Sequence, residues 1–175
     1  MVRWQRWIFQ TRDDEQLNII RKCEKGYNCS KSFAYTYPAV QIADGTTIAF
    51  TTRSQNHQAG SGGVRCSASV KTRDRIQLHY NYCGKILIDL NGDGKPNRGG
   101  EDVFEFRVFT NGVLPNGIPN NNPGYSNVEA EDFNVCLRNK GGHVACTAWV
   151  IYKENLDYLH CPDKIGWDKV SSCKD

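Results

Sequence analysis

Eight cysteines constrain this chain more than any other feature: Cys23, Cys29, Cys66, Cys83, Cys136, Cys146, Cys161 and Cys173. The set is even, spread along the chain, and contains no Cys-x-x-Cys. Zinc sites are usually built on closely spaced Cys pairs, and the four histidines (His57, His79, His143, His160) are scattered with no His-Glu-x-x-His among them. The pattern therefore reads as a disulfide framework, which implies an oxidising compartment, periplasmic or extracellular. Eight cysteines allow on the order of a hundred pairings, so spacing alone does not fix them. Short loops close at the least entropic cost, and we expect Cys23–Cys29, Cys66–Cys83, Cys136–Cys146 and Cys161–Cys173, each contributing ~2–4 kcal/mol. A Cys–His nucleophile has no place in such a scheme.

The chain has 175 residues, 39% hydrophobic and 23% charged, with a mean hydropathy of −0.60. That suits one soluble domain with one substantial core, taken as 1–175. Within it, 1–30 reads as a helix remnant with the first staple and 33–175 as sheet and loops. Lys+Arg 22 against Asp+Glu 19 leaves a net charge of +3, without the clustered basic face of a nucleic-acid binder. The basic stretch Arg65, Lys71, Arg73, Arg75 is interrupted by Asp74 and reads as a solvated strand face, so no specific nucleic-acid partner is expected. No apolar run approaches the ~20 residues of a membrane span. The opening Met1-Val-Arg-Trp-Gln-Arg-Trp7 lacks the continuous apolar stretch of a signal peptide. Disulfides without an export signal suggest a fragment of a longer exported protein, with Met1 foreign to it.

Asp13 to Lys22 places acidic residues before basic ones and predicts a short helix with Leu17, Ile19 and Ile20 inward and Gly26 at its end. Ala39–Ile42, Asp44-Gly45 and Thr46–Thr52 predict a hairpin. Lys85–Asp89 reads as a central strand, Val103–Phe109 as the next, with Asn111-Gly112 turning the chain. The faces of Val103–Phe109 are not cleanly assigned, because apolar and charged residues interleave. Gln58–Gly63 and Pro115–Asn127 are loops. Ala145–Tyr152 reads as a further strand and Glu154–Leu159 as one helical turn. The order predicts an α+β fold, an N-terminal helix packed on an antiparallel sheet with disulfide-stapled loops.

One segment carries pointed chemistry. Asp89-Leu-Asn91-Gly-Asp93-Gly94-Lys95-Pro-Asn97 sets oxygen side chains at alternate positions and a glycine directly after the third, as a calcium loop requires. The candidate ligands are Asp89, Asn91, Asp93, Lys95 through its carbonyl, Asn97 and Asp102. At the twelfth loop position stands Gly100 instead of a bidentate Glu, with Glu101 and Asp102 directly after it. Strands, not helices, flank the loop. The competing reading is a turn in which Asp and Asn satisfy their own backbone; both stay open. Any calcium affinity would suit an extracellular site, because the ligand set is incomplete.

Several pieces, in order, resemble bacterial type IV pilin-like and pseudopilin proteins. Ile88-Asp-Leu-Asn-Gly-Asp-Gly-Lys-Pro-Asn-Arg-Gly-Gly-Glu-Asp-Val-Phe-Glu-Phe106 is similar to their D-x-N-G…P-N…G-x-D-x-F-x-F segment, and Tyr37–Gly45 to their L-A-D-G hairpin. Gly142–Ile151, Asn155–Cys161, Trp167 and Cys173 resemble their carboxy-terminal disulfide region. The likeness spans about Pro38 to Cys173. It implies an N-terminal helix, half apolar and preceded by a leader, that holds the subunit in the inner membrane and later packs in a filament. That helix motif is not in this sequence, and Trp4, Trp7, Ile8 and Phe9 would follow it. The resemblance also implies that calcium orders the 89–102 loop. The expected function is structural, a major or minor pilin or pseudopilin whose partners are like subunits. The alternative is a secreted calcium-dependent binding or adhesion module, with Trp4, Trp7, Trp149 and Trp167 offering a stacking surface for a host or surface ligand. No nucleophile elbow, P-loop, dinucleotide fingerprint or zincin motif occurs, and Glu129, Glu131 and Asp132 read as a solvated acidic turn, so no enzyme is expected.

Overall fold

The computed structural model describes residues 17–33, 37–52, 82–109, 112–118 and 133–174. Among these residues six strands form one antiparallel sheet in sequence order: β1 (Ile19–Cys23), β2 (Ala39–Ile42), β3 (Thr47–Thr52), β4 (Tyr82–Asp89), β5 (Val103–Phe109) and β6 (Gly112–Pro115). Among the described residues two short helices follow, α1 (Phe133–Arg138) and α2 (Thr147–Lys153), so the fold is α+β. Among the described residues no helix is long and apolar enough to cross a membrane.

The β2–β3 hairpin forms where Asp44-Gly45 predicts it. Gly45 takes φ 94, and Asp44 Oδ1 accepts from the Thr46 amide at 2.8 Å. β4 is central, between β3 and β5. The expected helix over Asp13–Lys22 is corrected where it is described: Ile19–Cys23 is an edge strand paired with β2. Asn18 sits at φ 47, a left-handed residue that stops a helix, and the β-branched pair Ile19-Ile20 follows it. Leu17 and Ile20 are exposed, 44% and 61%, rather than inward, and Gly26 opens a 3-10 turn rather than ending a helix.

The register separates two faces. Cys23, Ala39, Ala49, Leu87 and Val103 share one face, and with Cys29 and Phe33 they form the first hydrophobic cluster. Thr47, Lys85, Asp89, Glu105 and Arg107 lie on this same face. The opposite face carries Val40, Ile48, Phe50, Ile86, Ile88, Phe104, Phe106 and Val108. Thus the interleaved residues of β5 resolve into a polar-plus-Val face and an apolar face.

The run Ala145–Tyr152 is helix, not strand. A 3-10 turn over Val144–Cys146 leads into α2. Continuous apolar runs do not distinguish a buried strand from a buried helix. Here Ala145, Ala148 and Trp149 recur at helical spacing and are fully buried, while Ile151 and Tyr152 are 50% and 55% exposed. The His143 Nδ1 atom accepts from the Ala145 amide and starts the turn. The second cluster gathers Phe133, Cys136, Ala145, Cys146, Trp149, Tyr158 and Ile165. Trp149 stacks on Phe133 at 4.5 Å and tilts against Trp167 at 5.4 Å.

Three disulfides pair as expected, Cys23–Cys29, Cys136–Cys146 and Cys161–Cys173. They point to an oxidising compartment, extracellular or periplasmic. Cys161–Cys173 closes the carboxy-terminal segment over the second cluster. There the Cys173 amide donates to Asp157 Oδ2 at 2.7 Å, which holds that carboxyl below its ordinary range. The pair Cys66–Cys83 lies outside the described residues, as do Trp4, Trp7, Ile8, Phe9, the 58–63 loop, the 65–75 basic stretch, residues 119–127 and the Glu129–Asp132 turn.

Candidate functional site

The β4–β5 connection, Leu90–Asp102, is the junction of the molecule. At one end it meets the loop after the first disulfide. The Ser30 hydroxyl donates to Asp89 Oδ2 at 2.5 Å, the Lys31 amide to Asp93 Oδ1 at 3.1 Å, and the Ser32 hydroxyl to Asn97 Oδ1 at 2.9 Å. At the other end it meets the second cluster. The Tyr158 hydroxyl donates to the Gly100 carbonyl, and burial pushes that phenol's pKa upward. Gly100 takes φ 81, and a Cβ there would collide with the Gly141 carbonyl and come within 2.8 Å of Cys146 Sγ. Only glycine fits at this contact, which explains Gly100 in the place of a ligand.

The structure divides the six candidate calcium ligands into two groups. Asp89 and Asp102 are buried and serve the fold. Asp89 also accepts from the Asn91 amide at 3.2 Å, and Asp102 accepts from the Asn97 and Arg98 amides, both at 2.7 Å. Asp102 therefore shapes the turn before β5. Asn91, Asp93 and Lys95 are exposed and Asn97 is half-buried, forming an outer lip. Within the lip, Asn91 Nδ2 donates to the Lys95 carbonyl at 3.2 Å and Asn97 Nδ2 to the Asp93 carbonyl at 3.4 Å. Among the described residues no three His, Cys, Asp or Glu side chains converge as a metal site would require. A cation at the lip would thus be held by one carboxylate with amide and carbonyl oxygens, a low-charge set suited to weak binding.

A second polar assembly lies under α2. Glu105, 2% exposed, stands at the middle of β5. Its Oε2 is 2.8 Å from Lys85 Nζ on β4, and its Oε1 is 2.7 Å from Arg107 Nε. Asn116 Nδ2, just past β6, donates to Oε1 at 3.1 Å. The backbone fixes these positions. The Asn116 amide donates to the Glu105 carbonyl at 2.9 Å, and the Asn116 carbonyl accepts from the Ala148 amide at 2.8 Å. At the start of α2, Thr147 Oγ1 accepts from the Glu105 amide at 2.9 Å. Nothing in the sequence reading singled out these residues. The signal available was a Glu and an Arg alternating with aromatic residues in β5, and charges inside an apolar strand need partners.

Of the tryptophans offered as a stacking surface, Trp149 is wholly buried, its Nε1 donating to Asn155 Oδ1 at 2.8 Å. Trp167 is half-buried and meets exposed Tyr152 edge-on at 6.1 Å. No family model matches the chain, and no curated protein or solved structure matches it.

Proposed function

We propose that this domain is the soluble head of a pilin-like subunit, major or minor pilin or pseudopilin, whose work is assembly into a surface filament or secretion pseudopilus and not catalysis. One observation carries the reading. The second sheet face, with Ile48, Phe50, Ile86, Ile88, Phe104, Phe106 and Val108, is apolar across three strands; Phe104 is buried and the other six are partly exposed. An apolar sheet face is built to be covered, as Cys29 and Phe33 cover part of the first face. An amphipathic or apolar helix of the subunit suits such a surface, and the quoted motifs make that helix the membrane anchor before assembly. The test is mass spectrometry of the mature N-terminus of the native, full-length protein from its host. We expect a removed leader and a methylated first residue opening an apolar helix. An ordinary secreted start without such a helix would sink the filament reading. The exposed Ile151 and Tyr152 beside Trp167 would then favour the adhesion module.

In this reading calcium stiffens the junction loop from its outer lip, through Asp93, Asn91, Asn97 and the Lys95 carbonyl. Extracellular sites of low ligand charge have a Kd of about 0.1–1 mM. Calcium at about ten times Kd then adds about 1.4 kcal/mol, which for a domain of this size raises Tm by roughly 3–6 °C. Thermal melts with calcium and with chelator check this. The rise is expected to vanish in Asp93→Ala. A wild-type melt indifferent to calcium removes the ion from the account.

A further inference from the structure

We propose that Lys85 and Asn116 become joined by a side-chain amide, formed once by the folded chain itself with Glu105 moving the protons. The observation is the convergence of three side chains from three separate places in the sequence. Glu105 presents one carboxylate oxygen to the Lys85 amine at 2.8 Å and the other to the Asn116 amide nitrogen at 3.1 Å. The two oxygens of one carboxylate are neighbours, so both reacting groups are held on the same short span. Glu105 and Asn116 are 2% and 0% exposed, and the Lys85 side chain 27%, so the reacting carbon is shielded from competing water. Proximity of this kind replaces a bimolecular encounter with an intramolecular one, the largest entropic part of such a barrier.

The chemistry balances without any further reagent. The Lys85 ammonium gives one proton to the Glu105 carboxylate. The neutral Nζ attacks Asn116 Cγ, forming the Nζ–Cγ bond. Glu105 returns its proton to Nδ2 as the Cγ–Nδ2 bond breaks; of the two protons left on the amine, one leaves with the departing nitrogen and one stays on the new amide. An ammonium ion is released, an amide remains, and Glu105 is again a carboxylate. Burial lowers the Lys85 pKa, but the hydrogen bond and charge of Glu105 outweigh it and raise the pKa overall, while the Arg107 charge works to lower it. The reacting form is therefore the minor one in which the proton has passed to Glu105. That suffices for a reaction that each chain performs once. The product ties β4 to the turn after β6 across β5, so edge strand β6 no longer peels from the sheet.

Intact-mass spectrometry of the purified folded protein, with its disulfides reduced just before the mass is read, tests this. We expect a mass one ammonia below the sequence mass, and a proteolytic peptide in which the segments carrying Lys85 and Asn116 are joined. Lys85→Arg keeps the charge beside Glu105 but not the nucleophile, and is expected at full mass. Glu105→Gln is expected at full mass wherever it is recovered folded; where it is not, Lys85→Arg carries the test. Three results overturn the proposal: a folded wild type at full mass, with Lys85 still open to trypsin; an ammonia deficit without a joined peptide, as cyclisation at an Asn-Gly pair would give; or the same deficit in Lys85→Arg.

Discussion

Trp149→Ala is expected to cost about 3–5 kcal/mol of folding stability, the range for emptying a large aromatic site in a core. Trp149 is fully buried, stacks on Phe133 at an interplanar angle of 6°, and touches Trp167. It also joins the hydrophobic cluster to the clasp behind it. Its Nε1 donates to Asn155 Oδ1, while Asn155 Nδ2 donates to the Ser171 carbonyl at 3.0 Å. Truncation therefore leaves a cavity and also removes a donor from the residue that positions the last segment. For a domain whose total stability is about 5–15 kcal/mol, this is a large fraction. It corresponds to a fall in Tm of roughly 6–20 °C. Tyr152→Ala, near the end of α2 and 55% exposed, is expected to cost under about 1 kcal/mol. Chemical denaturation of the two variants checks the contrast. Equal small losses would mean that the second cluster is not a true core.

The same helix shows where sequence is legible and where it is not. Local chemistry reads well. Asp44-Gly45 announces its hairpin because the turn needs a positive φ that Gly supplies, and the short-loop disulfides follow from chain entropy. Ala145–Tyr152 reads badly, because eight residues of mixed apolar type satisfy a strand and a helix alike until the burial of Ala145, Ala148 and Trp149 chooses between them. Ile19–Cys23 reads badly for another reason. The acidic-to-basic charge order of Asp13–Lys22 suits a helix dipole, yet Asn18 and the pairing of Ile19–Cys23 with β2 override so weak a preference. The calcium-like spacing of Asp89 to Asn97 is visible in sequence. The division into buried Asp89 and Asp102 and the exposed lip is not, since it depends on Ser30, Lys31 and Ser32 docking from the distant β1–β2 connection. The Lys85–Glu105–Asn116 convergence is the least legible of all. It exists only once the register of β4 on β5 and the departure of the chain after β6 are both known.

Gly117→Ala is expected to be as damaging as the loss of a core side chain, although it adds one methyl group. Gly117 takes φ 97, where an L side chain costs about 1–2 kcal/mol. A Cβ there would also overlap the Ala145 carbonyl oxygen and lie 2.8 Å from its carbon. These are backbone atoms at the entry to α2, fixed by the Cys136–Cys146 bridge and by the Ala148 amide on the Asn116 carbonyl. Neither side has a flexible end to yield, so overpacking adds about 1–3 kcal/mol. The total is about 2–5 kcal/mol. Gly45→Ala separates the two contributions. Gly45 has φ 94, but a Cβ there meets nothing within 4 Å, so only the conformational cost of about 1–2 kcal/mol applies. Urea midpoints of the two variants give the difference directly. A larger midpoint loss at Gly117 means that residues 116–117 are wedged between β5 and α2, which is also what holds Asn116 against Glu105. Equal losses would mean that this wedge is absent, and the placement of Asn116 would fall with it.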